Sequence, residues 1–437
     1  MRGRYSIALS FLIPILLGAV LLASPWARAA GSWGNWRAAL FTSCSAICVT
    51  GLTVVEIAEE YTQFGQIALM ILVEVGALGL MTLSTFMLVA IGRRLSFARE
   101  FSLMNAYGGE DILGVKGLIM WLVGSMVLIE AIGAGLLYCR FHDWYYAIFY
   151  SVMSFCNAGF GILPNSLANF ADEPYVLMVM ACETIFGGLG TLVIYNLCTF
   201  WFLRRKSGGR GRLTLHSKIV LRFTLYLLAI AFLVFLLLEW NGALREFSIG
   251  KKLWVAFYQA VTPRTCGFTV VPMESLKPGT LDVITALMFI GGGPGSVAAG
   301  IKVTTLAVLI YTIVAMCKAD DELVIYKRTI SLDVIRESIV ILILYASIII
   351  IGYEVLATIE GMKPVKYDNI YFEAISAVTT TGLSIGNTTK ELSPGGQCVV
   401  MALMFFGRLG ALTVVMMIGG RESNRLVRYP NEEVIVG

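Results

Sequence analysis

An internal repeat constrains this chain more than any other feature. Four stretches align on a glycine: FTSCSAICVTG from Phe41 to Gly51, FYSVMSFCNAG from Phe149 to Gly159, FYQAVTPRTCG from Phe257 to Gly267, and FEAISAVTTTG from Phe372 to Gly382. Each has a Phe ten residues before the glycine and a Leu or Phe directly after it (Leu52, Phe160, Phe268, Leu383). The glycines lie 108, 108 and 115 residues apart, and another glycine stands 28 residues beyond each, at Gly79, Gly187, Gly295 and Gly410. At an offset of 25 the residues are Gly76, Thr184, Gly292 and Gly407. With 44 glycines in 437 residues, four out of four at one offset extends each repeat well past its short motif. The period exceeds a solenoid unit and fits a whole module used four times.

Composition decides the solvent. The chain is 57% hydrophobic and 14% charged, against roughly a quarter charged in an average protein. That balance excludes a disordered chain, a disulfide-rich secreted module and an ordinary cytosolic enzyme. Each module has a long apolar run, at about 6–24, 117–139, 219–239 and 339–358. A short amphipathic stretch then leads into the glycine, a turn follows, and a second apolar run closes the module at about 65–92, 175–203, 281–317 and 397–420. A bilayer crossing needs roughly 20 apolar residues, so the short stretch fits a re-entrant half-helix rather than a span. The expected fold is an all-α polytopic membrane protein. It has four helix–pore-helix–helix repeats, hence eight transmembrane helices, with pseudo-fourfold symmetry around a central pore. The repeats divide at 1–92, 93–203, 204–318 and 319–437.

Charge sets the orientation. Twenty of the 33 Lys and Arg residues fall on the side holding the N-terminus and the inter-module loops, ten on the other side, and three (Arg264, Lys302, Arg408) within the membrane region. The positive-inside rule then makes both termini cytoplasmic. The basic clusters at 93–99 and 204–212 carry this topology signal and are also suited to face a cytosolic partner. The Ala27-Arg28-Ala29 sequence resembles a signal-peptidase site, but residues 6–24 fill a slot that three later segments also fill, so they are expected to stay. The nine Cys residues show no CxxC pair and only two His exist. Zinc or haem is not expected, and the cysteines read as small hydrophobes.

Re-entrant backbone at membrane depth is tolerated only where it is buried in protein or lines a wet cavity. Four such loops around one axis would present a ring of carbonyl oxygens able to replace the water shell of a monovalent cation. The C-terminal ends of the short helices would add partial negative charge, and glycine would let the backbone approach closely. The expected ligands are backbone oxygens of Val49, Thr50 and Gly51; Asn157, Ala158 and Gly159; Thr265, Cys266 and Gly267; and Thr380, Thr381 and Gly382.

The third module departs from the others. Gly291, Gly292, Gly293, Pro294, Gly295, Ser296 and Gly300 interrupt its closing run, and Pro with clustered Gly breaks a helix. A loop there is placed to obstruct the pore and move aside; the alternative is a static kink that lets helices pack closely. Charges inside spans are costly and face the bundle interior. Arg408 reads as a positive barrier or a partner of the 291–300 loop, and Lys302 faces either cavity or cytosol. Glu74, Glu130 and Glu183 are candidate structural partners. Arg264 is expected to pair with an acid behind the third loop.

With these residues in place, the sequence resembles the superfamily of K⁺ transporters that includes bacterial Trk and Ktr and plant HKT proteins. The stretch Gly292 to Thr305 (GGPGSVAAGIKVTT) resembles the family's intramembrane loop, with Val297-Ala298-Ala299-Gly300 where the usual form has Thr-Ala-Gly-Gly. The absence of extra N-terminal spans and the ending from Tyr429-Pro430 to Val436-Gly437 look most like a Ktr-type membrane subunit. The resemblance implies K⁺ uptake across the bacterial plasma (inner) membrane and a homodimer with one pore per chain. It further implies a cytosolic ring of regulatory subunits that binds ATP or ADP, stimulation by Na⁺, and Arg408 as the family's arginine of the last span. Relatives with Ser at the first filter position admit more Na⁺, so four glycines imply K⁺ preference. No organic cofactor and no nucleic-acid partner are expected. A Trk-type or Na⁺-permeable relative is the alternative within the superfamily. A broken-helix solute transporter would show two inverted repeats. An enzyme would need an acid–base or metal cluster, and a voltage sensor would need spaced arginines on one span.

Overall fold

A computed structural model of the chain describes residues 2–90, 115–163, 167–206, 213–320, 322–361 and 367–410. The basic clusters at 93–99 and 207–212, the run beyond 410 and the Tyr429–Gly437 ending lie outside the described residues.

The same order of elements occurs four times. A long helix comes first: Arg2–Ala23, Val115–Phe141, Leu215–Glu239 and Leu332–Glu360. A short helix follows: Trp36–Ile47, Trp144–Cys156, Ile249–Val261 and Tyr367–Val378. At 12 or 13 residues, each is about 20 Å long at 1.5 Å per residue, short of the roughly 30 Å hydrocarbon core. Polar residues start the short helices. Asn35 accepts from the Arg37 N–H at 3.1 Å and Asp143 from the Tyr145 N–H at 2.8 Å, which satisfies donors that a helix start leaves free. The residues that end them are buried, so the polar end faces outward and the glycine end faces inward.

The closing elements differ between quarters. The first is one helix, Gln63–Ala90. The fourth, Pro394–Leu409, reaches the limit of the described residues. The third is broken between Pro278–Phe289 and Val303–Cys317, where the Gly/Pro cluster lies. The second was expected to be continuous over 175–203. It is instead bent by 101° between Pro174–Leu189 and Thr191–Trp201. Gly190 sits at the bend with φ +91°, a conformation that costs L-residues with a side chain.

Among the described residues, Met120–Phe141, Leu215–Glu239 and Leu332–Glu360 are each long and apolar enough to cross a membrane, and the bent pair makes a fourth. Their outer faces are apolar and exposed, as at Leu136, Leu237 and Ile351, which is the surface lipid requires. The chain is therefore a mostly helical integral membrane protein. The first apolar segment packs into this body: Leu22 is wholly buried and the Ile15 carbonyl accepts from Ser43 Oγ at 2.7 Å.

Three of the glycines at these offsets, Gly76 and Gly407 at 25 and Gly187 at 28, have a packing cause, whereas a methyl at Gly79 would make only ordinary contact with Phe11. A methyl group at Gly76 would strike the Ile47 carbonyl oxygen, one at Gly187 the Phe155 carbonyl oxygen, and one at Gly407 the Val378 carbonyl oxygen. Ile47, Phe155 and Val378 each lie four residues before the aligned glycine of their quarter. The closing helices thus press backbone to backbone against the ends of the short helices. Thr184 marks the same contact in the second quarter, donating from Oγ1 to the Ser154 carbonyl at 3.3 Å.

Gly407→Ala is therefore expected to lower thermal stability in detergent, with overpacking costing about 1–3 kcal/mol. Gly124→Ala is the control: a methyl there meets nothing, and better helix propensity should leave stability unchanged or raise it by up to about 1 kcal/mol. Equal melting shifts for both would contradict the packing account.

Candidate functional site

Each short helix ends in the same turn. The residue two before the aligned glycine has positive φ in every quarter: Val49 at 52°, Asn157 at 57°, Thr265 at 65° and Thr380 at 48°. The glycines follow at 92°, 65°, 77° and 82°. In three quarters the hydrogen bonds are those of a Schellman motif. Val49 N donates to Ala46 O at 3.0 Å and Thr50 N to Ser45 O at 2.8 Å; Asn157 and Ala158 repeat this on Ser154 and Met153, and Thr380 and Thr381 on Ala377 and Ser376. The third quarter differs: Arg264 N donates to Val261 O and Cys266 N to Thr262 O, each at 3.1 Å. Val49, Thr265 and Thr380 are β-branched, for which positive φ is a real outlier. Such residues hold about 1–3 kcal/mol of strain each, sustained only where surrounding structure over-determines the conformation.

The surroundings do so from the return side. Tyr150 OH accepts from the N–H groups of Ile162 and Leu163 at 3.3 and 3.0 Å. Gln259 Oε1 accepts from Val270 N at 3.2 Å. Glu373 accepts from Ser384 Oγ at 2.8 Å and from Thr389 Oγ1. Each of these side chains belongs to the short helix of its own quarter, eight or nine residues before the glycine. No sequence motif marked them.

The four turns meet. A methyl at Gly51 would strike the Ala158 carbonyl oxygen and lie 3.1 Å from Gly159 Cα. One at Gly159 would lie 2.8 Å from Gly267 Cα, and one at Gly267 2.9 Å from the Thr381 carbonyl oxygen. One at Gly382 would strike the Thr50 carbonyl oxygen and lie 3.3 Å from Gly51 Cα. The neighbours run first, second, third, fourth and back to first, so the twelve residues form a closed ring. Val49, Thr50, Asn157, Ala158, Thr265, Cys266, Thr380 and Thr381 are all buried. None of their backbone carbonyls accepts a hydrogen bond from the described residues. Buried carbonyls are ordinarily paired, so eight unpaired ones in one ring point to a ligand with positive charge.

The 291–300 loop is bolted in place. Gly291 N donates to Ile301 O at 2.9 Å, Ile301 N to Phe289 O at 3.1 Å and Val303 N to Gly292 O at 3.0 Å, so the two ends of the loop are clipped together. Pro294 and Gly295, with φ +74° at Gly295 and Ser296 N on Gly293 O at 3.2 Å, make its tip a type II turn. The loop also bonds the bend of the second quarter: Gly293 N to Gly188 O at 2.8 Å, Val297 N to Gly187 O at 3.2 Å and Thr191 N to Gly295 O at 3.3 Å. The bend missed in the sequence is thus the seat of the loop.

Three cations reach the loop's carbonyls. Arg408, 1% exposed, donates from Nη1 to Val297 O at 2.7 Å and from Nη2 to Gly76 O at 3.0 Å. Lys302 folds back so that Nζ donates to Ala298 O. Arg264 donates to Gly291 O at 3.3 Å. Two expectations are corrected. Among the described residues no carboxylate pairs with Arg264, because its side chain extends toward the loop, where backbone oxygens are the acceptors. Nor, among the described residues, do the candidate partners Glu74, Glu130 and Glu183 pair with these cations, and Arg408 meets the loop as expected. Glu130 and Glu74 gather beside Cys156 at the packing between the first and second quarters, and Glu183 accepts from Ser151 Oγ within the second.

A sequence profile described as TrkH, cation transport protein, matches residues 27–429. The chain belongs to this cation transport family. Among its TrkH-family relatives, Ktr system potassium uptake protein B of Bacillus subtilis is 34% identical over 99% of this chain and 96% of its own length. The protein of the same name in Vibrio alginolyticus is 35% identical over 99% of this chain and 94% of its own. Potassium/sodium uptake protein NtpJ of Enterococcus hirae is 33% identical over 99% and 96%. The crystal structure of the potassium transporter TrkH from Vibrio parahaemolyticus shares the fold, with a TM-score of 0.77, 16% identity, and coverage of 95% of this chain and 84% of that one.

Gly190→Ala tests the seat of the loop. The added methyl would sit 2.5 Å from the Pro294 carbonyl oxygen at a positive φ. A loss of about 2–4 kcal/mol is expected from the backbone cost and the overpacking together, read as a lower unfolding temperature. An unchanged transition would contradict the described contact.

Proposed function

We propose that the chain is the ion-translocating membrane subunit of a Ktr-type system and takes up K⁺ across the bacterial inner membrane. The single observation that carries the mechanism is the closed ring of eight buried backbone carbonyls without a partner among the described residues. A K⁺ ion entering the ring exchanges water oxygens for carbonyl oxygens. The four short helices add the negative ends of their dipoles. Because the ligands are backbone, selectivity rests on how the turns are held rather than on any charged side chain. Val49, Thr50 and Gly51, with their counterparts in the other quarters, form the filter, and the repeats form a pseudo-fourfold array of eight spans.

The loop of Gly291, Gly292, Gly293, Pro294, Gly295, Ser296 and Gly300 is the gate beneath the filter. Lys302 and Arg408 hold its carbonyls and place positive charge in the ion's path. Cations there raise the barrier to a passing cation until the loop and its partners move together. The reading extends to a homodimer on a cytosolic ATP- or ADP-binding ring, to both termini in the cytoplasm, and to Na⁺ as activator. The names of the Ktr relatives and the twenty-to-ten excess of basic residues on one side support it. A second reading, a K⁺/Na⁺ transporter, is favoured by the name of the Enterococcus hirae relative.

Growth of an uptake-deficient bacterium on low K⁺ is expected to return when the chain is expressed, and continued failure with protein in the membrane would contradict K⁺ uptake. Gly51→Ser is expected to lower K⁺/Na⁺ discrimination in ⁸⁶Rb⁺ competition assays; unchanged ion ratios would argue against the filter. Removing residues 292–300 is expected to raise flux in folded protein, whereas equal or lower flux would argue against the gate.

A further inference from the structure

We propose that Arg264 is a positioning residue that ties the third filter turn to the clipped base of the 291–300 loop, so that filter and gate are mechanically coupled. This rests on the filter and gate reading above and adds the element that joins them.

Arg264 directly precedes Thr265, Cys266 and Gly267. It is 8% exposed, unusual for an arginine. Its two ends face different parts of the molecule. The backbone carbonyl accepts from Asn157 Nδ2 at 3.5 Å, and the same nitrogen lies 3.4 Å from Thr265 Oγ1, so the second turn is stitched to the third. At the other end, Nη2 donates to Gly291 O at 3.3 Å and to Thr224 Oγ1 at 3.4 Å. Gly291 is where the loop's two ends are joined, since its N–H is bonded to Ile301 O. The join has no slack: a methyl at Gly291 would strike the Ala299 carbonyl oxygen, and one at Gly300 would lie 3.1 Å from Gly291 N. The guanidinium therefore bonds the loop at the point where its two ends are already joined.

The choice of residue argues for a working role. A buried charge with only neutral acceptors is a poor way to gain stability, and an apolar side chain of similar volume would serve packing better. A charged donor does make a stronger bond to a carbonyl than a neutral one. The planar fork lets one nitrogen group serve Gly291 and Thr224 from a fixed orientation. The contact also differs from that of Arg408, which approaches the middle of the loop at Val297 from the fourth quarter. Displacing the base of the loop must shift Arg264, and with it the backbone carbonyl adjoining the filter.

The test is ⁸⁶Rb⁺ uptake into liposomes by the purified full chain, with Na⁺ as competitor. Wild type, Arg264→Lys, Arg264→Gln and Thr224→Val are compared, each alone and with residues 292–300 removed. Arg264→Gln is expected to shift both basal flux and the Na⁺ concentration that halves uptake, each by about tenfold, the effect of losing one bond to a charged group. Arg264→Lys should recover part of both shifts, and Thr224→Val should move both in the same direction by less. In the chain lacking 292–300, Arg264→Gln should change flux no further. Flux falling in proportion to folded protein at an unchanged ion ratio would overturn the proposal, as would effects that add to those of the deletion. If Arg264→Gln does not fold, wild-type behaviour of both Arg264→Lys and Thr224→Val would overturn it. An unaltered flux on deletion alone would instead refute the gate and take this proposal with it, whereas an unaltered ion ratio in Gly51→Ser would refute the filter reading.

Discussion

The structure depends on a ring of buried backbone carbonyls left unpaired among the described residues. An unsatisfied buried polar group costs about 1–3 kcal/mol, and the ring contains eight carbonyls that have no hydrogen-bond donor among the described residues. A fold keeps such a set only if the backbone is forced into place and something outside the protein shares the carbonyls. The left-handed turn at the end of each short helix does the forcing. It reverses the chain within three residues, and the following glycine lets the neighbouring turn come within van der Waals distance.

The same backbone logic spreads outward. Glycines on the closing helices press against the ends of the short helices, as at Gly76 on Ile47 and Gly407 on Val378. Tyr150, Gln259 and Glu373 hold the segments that follow the glycines. The fourfold plan is broken where the bend of the second quarter at Gly190 seats the loop of the third. Asn157 joins those same two quarters at the level of the turns. On the proposed reading, one junction thus carries both filter contacts and gate contacts, a natural place for control from the cytosolic side.

The repeat was legible because it rests on glycine, a residue whose lack of a side chain is itself the structural requirement. The Gly/Pro cluster at 291–300 was legible for the same reason. The bend at Gly190 was not, since one glycine in an apolar run is common in membrane helices. Positive φ at Val49, Thr265 and Thr380 left no mark, because β-branched residues argue against that conformation and only tertiary contacts impose it. Arg408 was legible as a partner of the 291–300 loop, where it meets Val297 O, but the partner of Arg264 was hidden: its guanidinium bonds a backbone oxygen, which every residue carries. Side-chain charge led instead to the acids, and those lie with Ser151 and Cys156.

The most direct measurement is the position of a heavy alkali-like ion in the protein. Crystals grown in Rb⁺ or Tl⁺ should give anomalous density at the centre of the ring, within coordination distance of carbonyls contributed by residues 49–50, 157–158, 265–266 and 380–381. Density confined to other sites, or a ring centre that stays empty at saturating ion, would contradict the account.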